Sequence, residues 1–153
     1  MALIREKDRQ LLEDKYRREL EGKVRLVYFT QGENLLHVPG RVECEQCKEM
    51  EELLQEVATL SPQFELVTYD FVADQAKAAE YGIDRIPALV LEGEDGSSHG
   101  VRFFGITSGY EFATLVEDLV DVSKGRSRLS EASQTKAAQI DRPVHIQIFV
   151  TPT

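Results

Sequence analysis

Apolar residues arrive in this chain in short blocks whose spacing switches between helical and extended. In "IREKDRQLLEDKYRREL", Ile4, Leu11, Leu12, Tyr16 and Leu20 recur at helical intervals among charges, which predicts an amphipathic helix ending at Gly22. "VRLVYFT", Val24 to Thr30, is short, β-branched and aromatic, and reads as a buried strand. "QGENLLHVPGR" follows, with two glycines and a proline, as an exposed loop. From Cys44 onward Cys47, Met50, Leu53, Leu54, Val57 and Leu60 form one helical stripe, halted by Ser61 and Pro62.

A second strand is predicted at "FELVTYDF", then an alanine-rich helix in "ADQAKAAEYG" capped by Gly82. "IDRIPALVLEGEDGSSHGVRFFG" holds two apolar strands around the hairpin signal "EDGS". Ser108 and Glu111 fit a capping box for a helix burying Phe112, Leu115, Val116, Leu119 and Val122. After the polar "KGRSRLSE" come a weakly amphipathic helix, "SEASQTKAAQI", and a final strand, "RPVHIQIFVTPT". The order αβαβαββ followed by a helix argues for an α/β fold with one sheet between helices. "VRLVYF" and "VHIQIF" also match at Val24 and Val144, Leu26 and Ile146, and Phe29 and Phe149, a similarity too short to establish a repeat.

A length of 153 residues fits one domain with an appendage. The formal charge of −9 disfavours a polyanionic partner, so nucleic acid is not expected. The first residues lack the apolar run of a signal peptide and no later run is long enough to cross a bilayer; the expectation is a cytoplasmic protein with no membrane partner.

Against that background the two cysteines, Cys44 and Cys47 in "RVECEQCKEM", call for an explanation. Two cysteines at this spacing at a helix start suit redox exchange or a metal better than core filling. Zinc wants four ligands, and His37, His99 and His145 are scattered with no paired spacing, so no metal site is assigned and the histidines are read as bland. In exchange chemistry Cys44 would attack and Cys47, deeper on the apolar stripe, would resolve. Glu43, Glu45, Glu49, Glu51 and Glu52 oppose a thiolate there, with Arg41 and Lys48 against them. A helix N-terminus contributes about 0.3–1 kcal/mol and each exposed carboxylate a fraction of that, so the thiolate is expected to be only modestly stabilised.

The helix-opening C-x-x-C after the first buried strand, with "YGIDRIPALVLE" about forty residues on, resembles the thioredoxin superfamily. "GVRFFGITSGYEF", "EDLVDVSKG" and "PVHIQIFVTPT" bring it closer to the glutaredoxin-like protein disulfide oxidoreductases, which have two tandem units. The resemblance implies a three-layer αβα sandwich with a mixed central sheet, here with an extra N-terminal helix and a C-terminal helix and strand. It implies that residues 1–125 form one thioredoxin-like unit and that 126–153 hold the linker, helix and strand opening a second unit absent from the sequence. By the same resemblance Pro87 follows a cis peptide bond, and Ile86 and Pro87 bind substrate beside the cysteines. The implied function is oxidoreduction of protein disulfides with no cofactor beyond the cysteine pair, electrons coming from a reductase or glutathione. Glu43 replaces the aromatic residue common before the first cysteine, the loop before Cys44 is long, and the first strand offers Tyr28 where thioredoxins have an aspartate.

A reading of a different class is a non-catalytic module that docks clients or a partner domain. The final strand would present an apolar edge, and is expected to join this sheet or to pair with another chain as a homodimer.

Overall fold

The computed structural model describes residues 3–32 and 44–150. The loop expected over 31–41 therefore falls mostly outside the described residues, as do His37, Arg41 and Glu43. Along the chain come α1 (Glu6–Glu19), β1 (Val24–Thr30), α2 (Cys47–Ala58), β2 (Phe64–Asp70) and α3 (Gln75–Glu80). They are followed by β3 (Ala88–Gly93), β4 (Arg102–Phe104), α4 (Tyr110–Lys124) and α5 (Glu131–Ala137).

Among the described residues the strands form one mixed sheet in the order β2-β1-β3-β4. β1 runs parallel to β2, with Val24 opposite Phe64, and antiparallel to β3, with Val24 opposite Gly93. The pleat of β1 sends alternate side chains to opposite faces. Val24, Leu26 and Tyr28 enter a cluster with Tyr16 of α1, Met50, Leu54 and Val57 of α2, and Leu115 and Leu119 of α4. Val27 and Phe29 pack on the other face with Ala78 of α3, Ala88 and Val90. Three layers result, with α1, α2 and α4 on one side and α3 on the other.

The added helix α1 is locked at both ends. Tyr16 meets Phe64 edge to face, ring centroids 4.8 Å apart. Ahead of the helix, Leu3 N and Ile4 N donate to the Glu56 carboxylate of α2 at 2.7 and 2.9 Å.

Several boundaries differ from expectation. α1 stops at Glu19 because Leu20 turns extended, so Gly22 is not its cap. A Cβ on Gly22 would instead lie 3.1 Å from Ser123 O, a tight approach that glycine relieves. The capping box at Ser108 does not form: Gly109, with φ at 61°, is the residue before α4, one position too late for Ser108 to cap it. The "EDGS" turn is present, Gly93 N bonding Ser97 O at 3.0 Å, but a second turn closed by Val101 N on Ser98 O delays the returning strand to Arg102. Gly82, with φ at +65°, does end α3 as expected.

The largest correction concerns the end of the chain. α5 forms, with Ser130 Oγ accepting from Ser133 N at 3.3 Å, but buries none of its residues. Residues 143–150 form no strand, join neither edge of the sheet, and leave Val144, Ile146, Ile148, Phe149 and Val150 exposed. A lone extended segment has no partner for its backbone groups, and alternation of apolar residues cannot supply one.

Candidate functional site

Cys44 and Cys47 are joined as a disulfide with their Cα atoms 5.4 Å apart. The helix opens at Cys47, not at Cys44. Glu45 and Gln46 form a turn in which Cys47 N donates to Cys44 O at 3.3 Å, and the first helical bond runs from Met50 N to Gln46 O at 3.0 Å. Cys44 thus lies just ahead of the positive end of α2, half-buried, while Cys47 is only 3% exposed. The difference follows from the helical stripe: Cys47, Met50, Leu53, Leu54 and Val57 all face the sheet. No side chain caps α2 at Gln46.

Two contacts hold this helix start to the fold. The Tyr28 hydroxyl donates to Cys47 O at 2.7 Å, inside the core. Burial pushes the Tyr28 phenol up to about 12, so it stays protonated and able to donate. One turn on, Met50 Sδ accepts from Thr107 Oγ1 at 3.2 Å and Thr107 N at 3.5 Å, with Thr107 fully buried.

The peptide bond between Ile86 and Pro87 is cis. Pro87 O accepts from Gly105 N at 2.9 Å, and a Cβ placed on Gly105 would lie 3.7 Å from Gln46 Oε1, between the cysteines in sequence. Pro87, Gly105 and the C-x-x-C turn are therefore neighbours, while the half-buried Ile86 packs against the Val27 and Phe29 cluster. Gly105 has φ at +86°, a backbone setting that a side chain would strain. Next to Ile86, Arg85 is held by Asp84 at 2.8 Å and sits 5.5 Å over the ring of Phe104 on the edge strand. The hydrogen bond from Arg85 holds the Asp84 carboxyl below its usual range.

Of the residues singled out from sequence, Cys44 and Cys47 are bonded to each other, Pro87 reaches their turn through Gly105, and Ile86 packs with Val27, Phe29 and Ala78 on the other face of the sheet. Sequence reasoning missed Gly105, Thr107 and the role of Tyr28. The glycine at the end of "VRFFG" signalled a turn, but nothing in the sequence shows that this turn meets the cysteines. His99 belongs to the hairpin, its ring within 2.8 Å of Ser97 Oγ, and His145 lies in the exposed terminal segment and not in a strand. Glu45 and Glu49 are exposed around the pair, Glu51 is half-buried, and Glu43 lies outside the described residues.

A dithiol that can close across the start of a helix, beside a cis proline, on a mixed sheet packed between helices, defines a thiol-disulfide site of the thioredoxin type. A model of the thioredoxin domain matches residues 36–117, and the chain belongs to that family. A curated relative, the F subunit of alkyl hydroperoxide reductase in Staphylococcus aureus, is 27% identical over 109 residues, which is 71% of this chain and 19% of the relative. Among solved structures, the F subunit of the Enterococcus faecalis alkylhydroperoxide reductase superposes with a TM-score of 0.74 at 28% identity, covering 88% of this chain and 59% of that one. A protein disulfide oxidoreductase of Aeropyrum pernix gives 0.73 at 21% identity, covering 92% and 56%, and shares the fold. The chain thus spans about a fifth of the curated relative and under two thirds of each of these solved chains. No helix among the described residues is long and apolar enough to cross a membrane.

Proposed function

We propose that this chain exchanges disulfides with protein substrates, Cys44 attacking and Cys47 resolving. The observation that carries the reading is the closed pair between a half-exposed Cys44 and a buried Cys47 at the start of α2. In the reducing direction the Cys44 thiolate attacks one sulfur of a client disulfide. A mixed disulfide forms and one client thiolate leaves and takes a proton. The Cys47 thiolate then attacks Cys44 Sγ, releasing the second client sulfur. Two electrons have passed to the client, and a reductase or glutathione restores the dithiol. No resident cofactor is needed in this scheme. The name of the Staphylococcus aureus relative, part of a hydroperoxide reductase, supports a place for such a unit in reductive electron transfer.

Ile86 and Pro87 would receive the client. Ile86 is half-buried and precedes Pro87, which neighbours the C-x-x-C turn through Gly105; its backbone would bond an extended peptide, a mode that selects little for sequence. The test is reduction of insulin by dithiothreitol with wild-type chain and with Cys44→Ser. The wild type should accelerate precipitation and the variant should fall to the uncatalysed rate. Equal rates would overturn the catalytic reading in favour of the docking one.

That second reading has its own support in the apolar terminal segment, where Ile146, Ile148, Phe149 and Val150 are each at least 77% exposed. Of these, Ile146, Ile148 and Val150 alternate as in a strand awaiting a sheet, and a second copy of the chain would supply one. Sedimentation of the full chain should then show a concentration-dependent dimer that Ile146→Asp with Ile148→Asp abolishes. A monomer at every concentration would dispose of the pairing.

A further inference from the structure

We infer that Tyr28 is a positioning residue for Cys47, setting how readily the cysteine pair closes; the inference rests on the pair being the redox site proposed above. Tyr28 is the fifth of the seven residues of β1, an interior strand of the sheet, on the face turned toward α2, and is fully buried. Its hydroxyl crosses the gap between sheet and helix to reach the carbonyl of Cys47, at 2.7 Å. This bond falls on the first helical residue, which is also the resolving cysteine.

Burial alone does not require such a bond in this core. Tyr16 is equally buried, yet its hydroxyl has no partner among the described residues. The placement at Cys47 matters because α2 lacks a side-chain cap, and the first turn of an uncapped helix is where fraying starts. When the disulfide is closed, the covalent bond itself restrains Cys47 against Cys44. When it is open, the turn is held by the backbone bonds from Cys47 N to Cys44 O and Met50 N to Gln46 O, by Thr107 on Met50 one turn on, and, at Cys47 itself, by the Tyr28 hydroxyl. Removing the hydroxyl therefore frees the dithiol more than the disulfide. Closure must then re-order the turn, and the effective concentration of one thiol at the other falls.

The closure step itself is unchanged in its chemistry. The Cys47 thiolate attacks Cys44 Sγ in a mixed disulfide with glutathione, the new intramolecular bond forms, and glutathione leaves with the electron pair and takes a proton. Tyr28 neither gives nor takes a proton in it.

The test uses the full chain with Tyr28→Phe, which keeps the ring and removes one oxygen. Equilibration with reduced and oxidised glutathione gives the constant for closing Cys44 to Cys47. The variant's constant should be about three- to tenfold lower, the range expected for one buried hydrogen bond; tenfold is about 30 mV. In the Cys47→Ser background, Tyr28→Phe should leave the rate of Cys44 with an aromatic disulfide reagent unchanged. Denaturant unfolding of both redox forms should show the dithiol losing less stability than the disulfide, as linkage to the lower constant requires. A constant within about twofold of wild type overturns the inference, even if melting falls, because the bond would then support both forms alike. A parallel drop in the Cys44 rate also overturns it, since Tyr28 would then act on the attacking thiol. Failure of the variant to fold in both redox forms counts against it as well. If wild type closes with glutathione but does not reduce insulin, the proposed function fails while this inference stands or falls on its own constant.

Discussion

Two hexamers with apolar residues at matching positions meet opposite fates in this chain. In β1, Val24, Leu26 and Phe29 are fully buried; in the terminal segment, Val144, Ile146 and Phe149 are 59, 77 and 89% exposed. β1 lies between two strands and under helices on both faces, so all its apolar side chains are buried. The terminal segment is preceded by α5, which buries nothing, and has no strand on either side. The pattern of a strand is thus a capacity, realised only when another element supplies the second half of the contact.

The sharpest way to break that comparison is to put the same charge into each. Leu26→Asp would place a carboxylate among Tyr16, Met50, Leu54 and Leu119 with no cation beside it. A loss of about 4–5 kcal/mol or more is expected, enough to unfold a domain of ordinary stability. Ile146→Asp should change the monomer's stability by less than about 0.5 kcal/mol. Circular dichroism melts of the two variants check this, and a comparable loss for Ile146→Asp would mean that the tail is packed in solution.

Ending the chain after Gly125 sharpens the same contrast on a smaller scale. Residues beyond it reach the folded unit through Arg126 on Glu21 and through Arg128 on Glu117 and Asp121. Exposed pairs of this kind contribute little, and the melting midpoint should drop by a few degrees at most. A collapse of the melt would show that the helix and tail belong to the unit's own core.

Much of this was legible from the residues. β1 appears at Val24–Thr30 as its β-branched and aromatic run predicts, and the stripe from Cys47 to Val57 does face the sheet. Those segments are read correctly because burial on the side they face is continuous. The Cys44–Cys47 pair and the cis bond before Pro87 were legible, since C-x-x-C and Ile-Pro are local words. The assembly of the site was not, because the contact of Gly105 with Gln46 joins positions far apart in the chain. The helix boundary at Cys47 was missed by three residues, as apolar spacing does not report the turn at Glu45 and Gln46. The terminal strand was misjudged because periodicity is silent about partners.

The N-terminus offers the smallest and most specific check, because there a terminal segment does dock. Ile4 is buried, and its amide and that of Leu3 are held by the Glu56 carboxylate. Burial alone would push Glu56 up, but the two backbone donors and nearby Arg9 outweigh it and hold the carboxyl below its usual range. A carboxyl depressed in the folded state adds stability above its unfolded value, about 4.3, and that stability is lost as pH falls through the folded value. Glu56→Gln should therefore lower the melting midpoint by about a degree or two at neutral pH, a modest effect because the group is partly exposed. Below about pH 4 the gap between wild type and variant should close progressively. A gap constant from pH 7 to 3 would mean that the amide replaces the carboxylate's bonds in full, and that charge is not what ties this end of the chain down. The C-terminal segment carries no comparable anchor among the described residues, and its apolar residues stay in solvent.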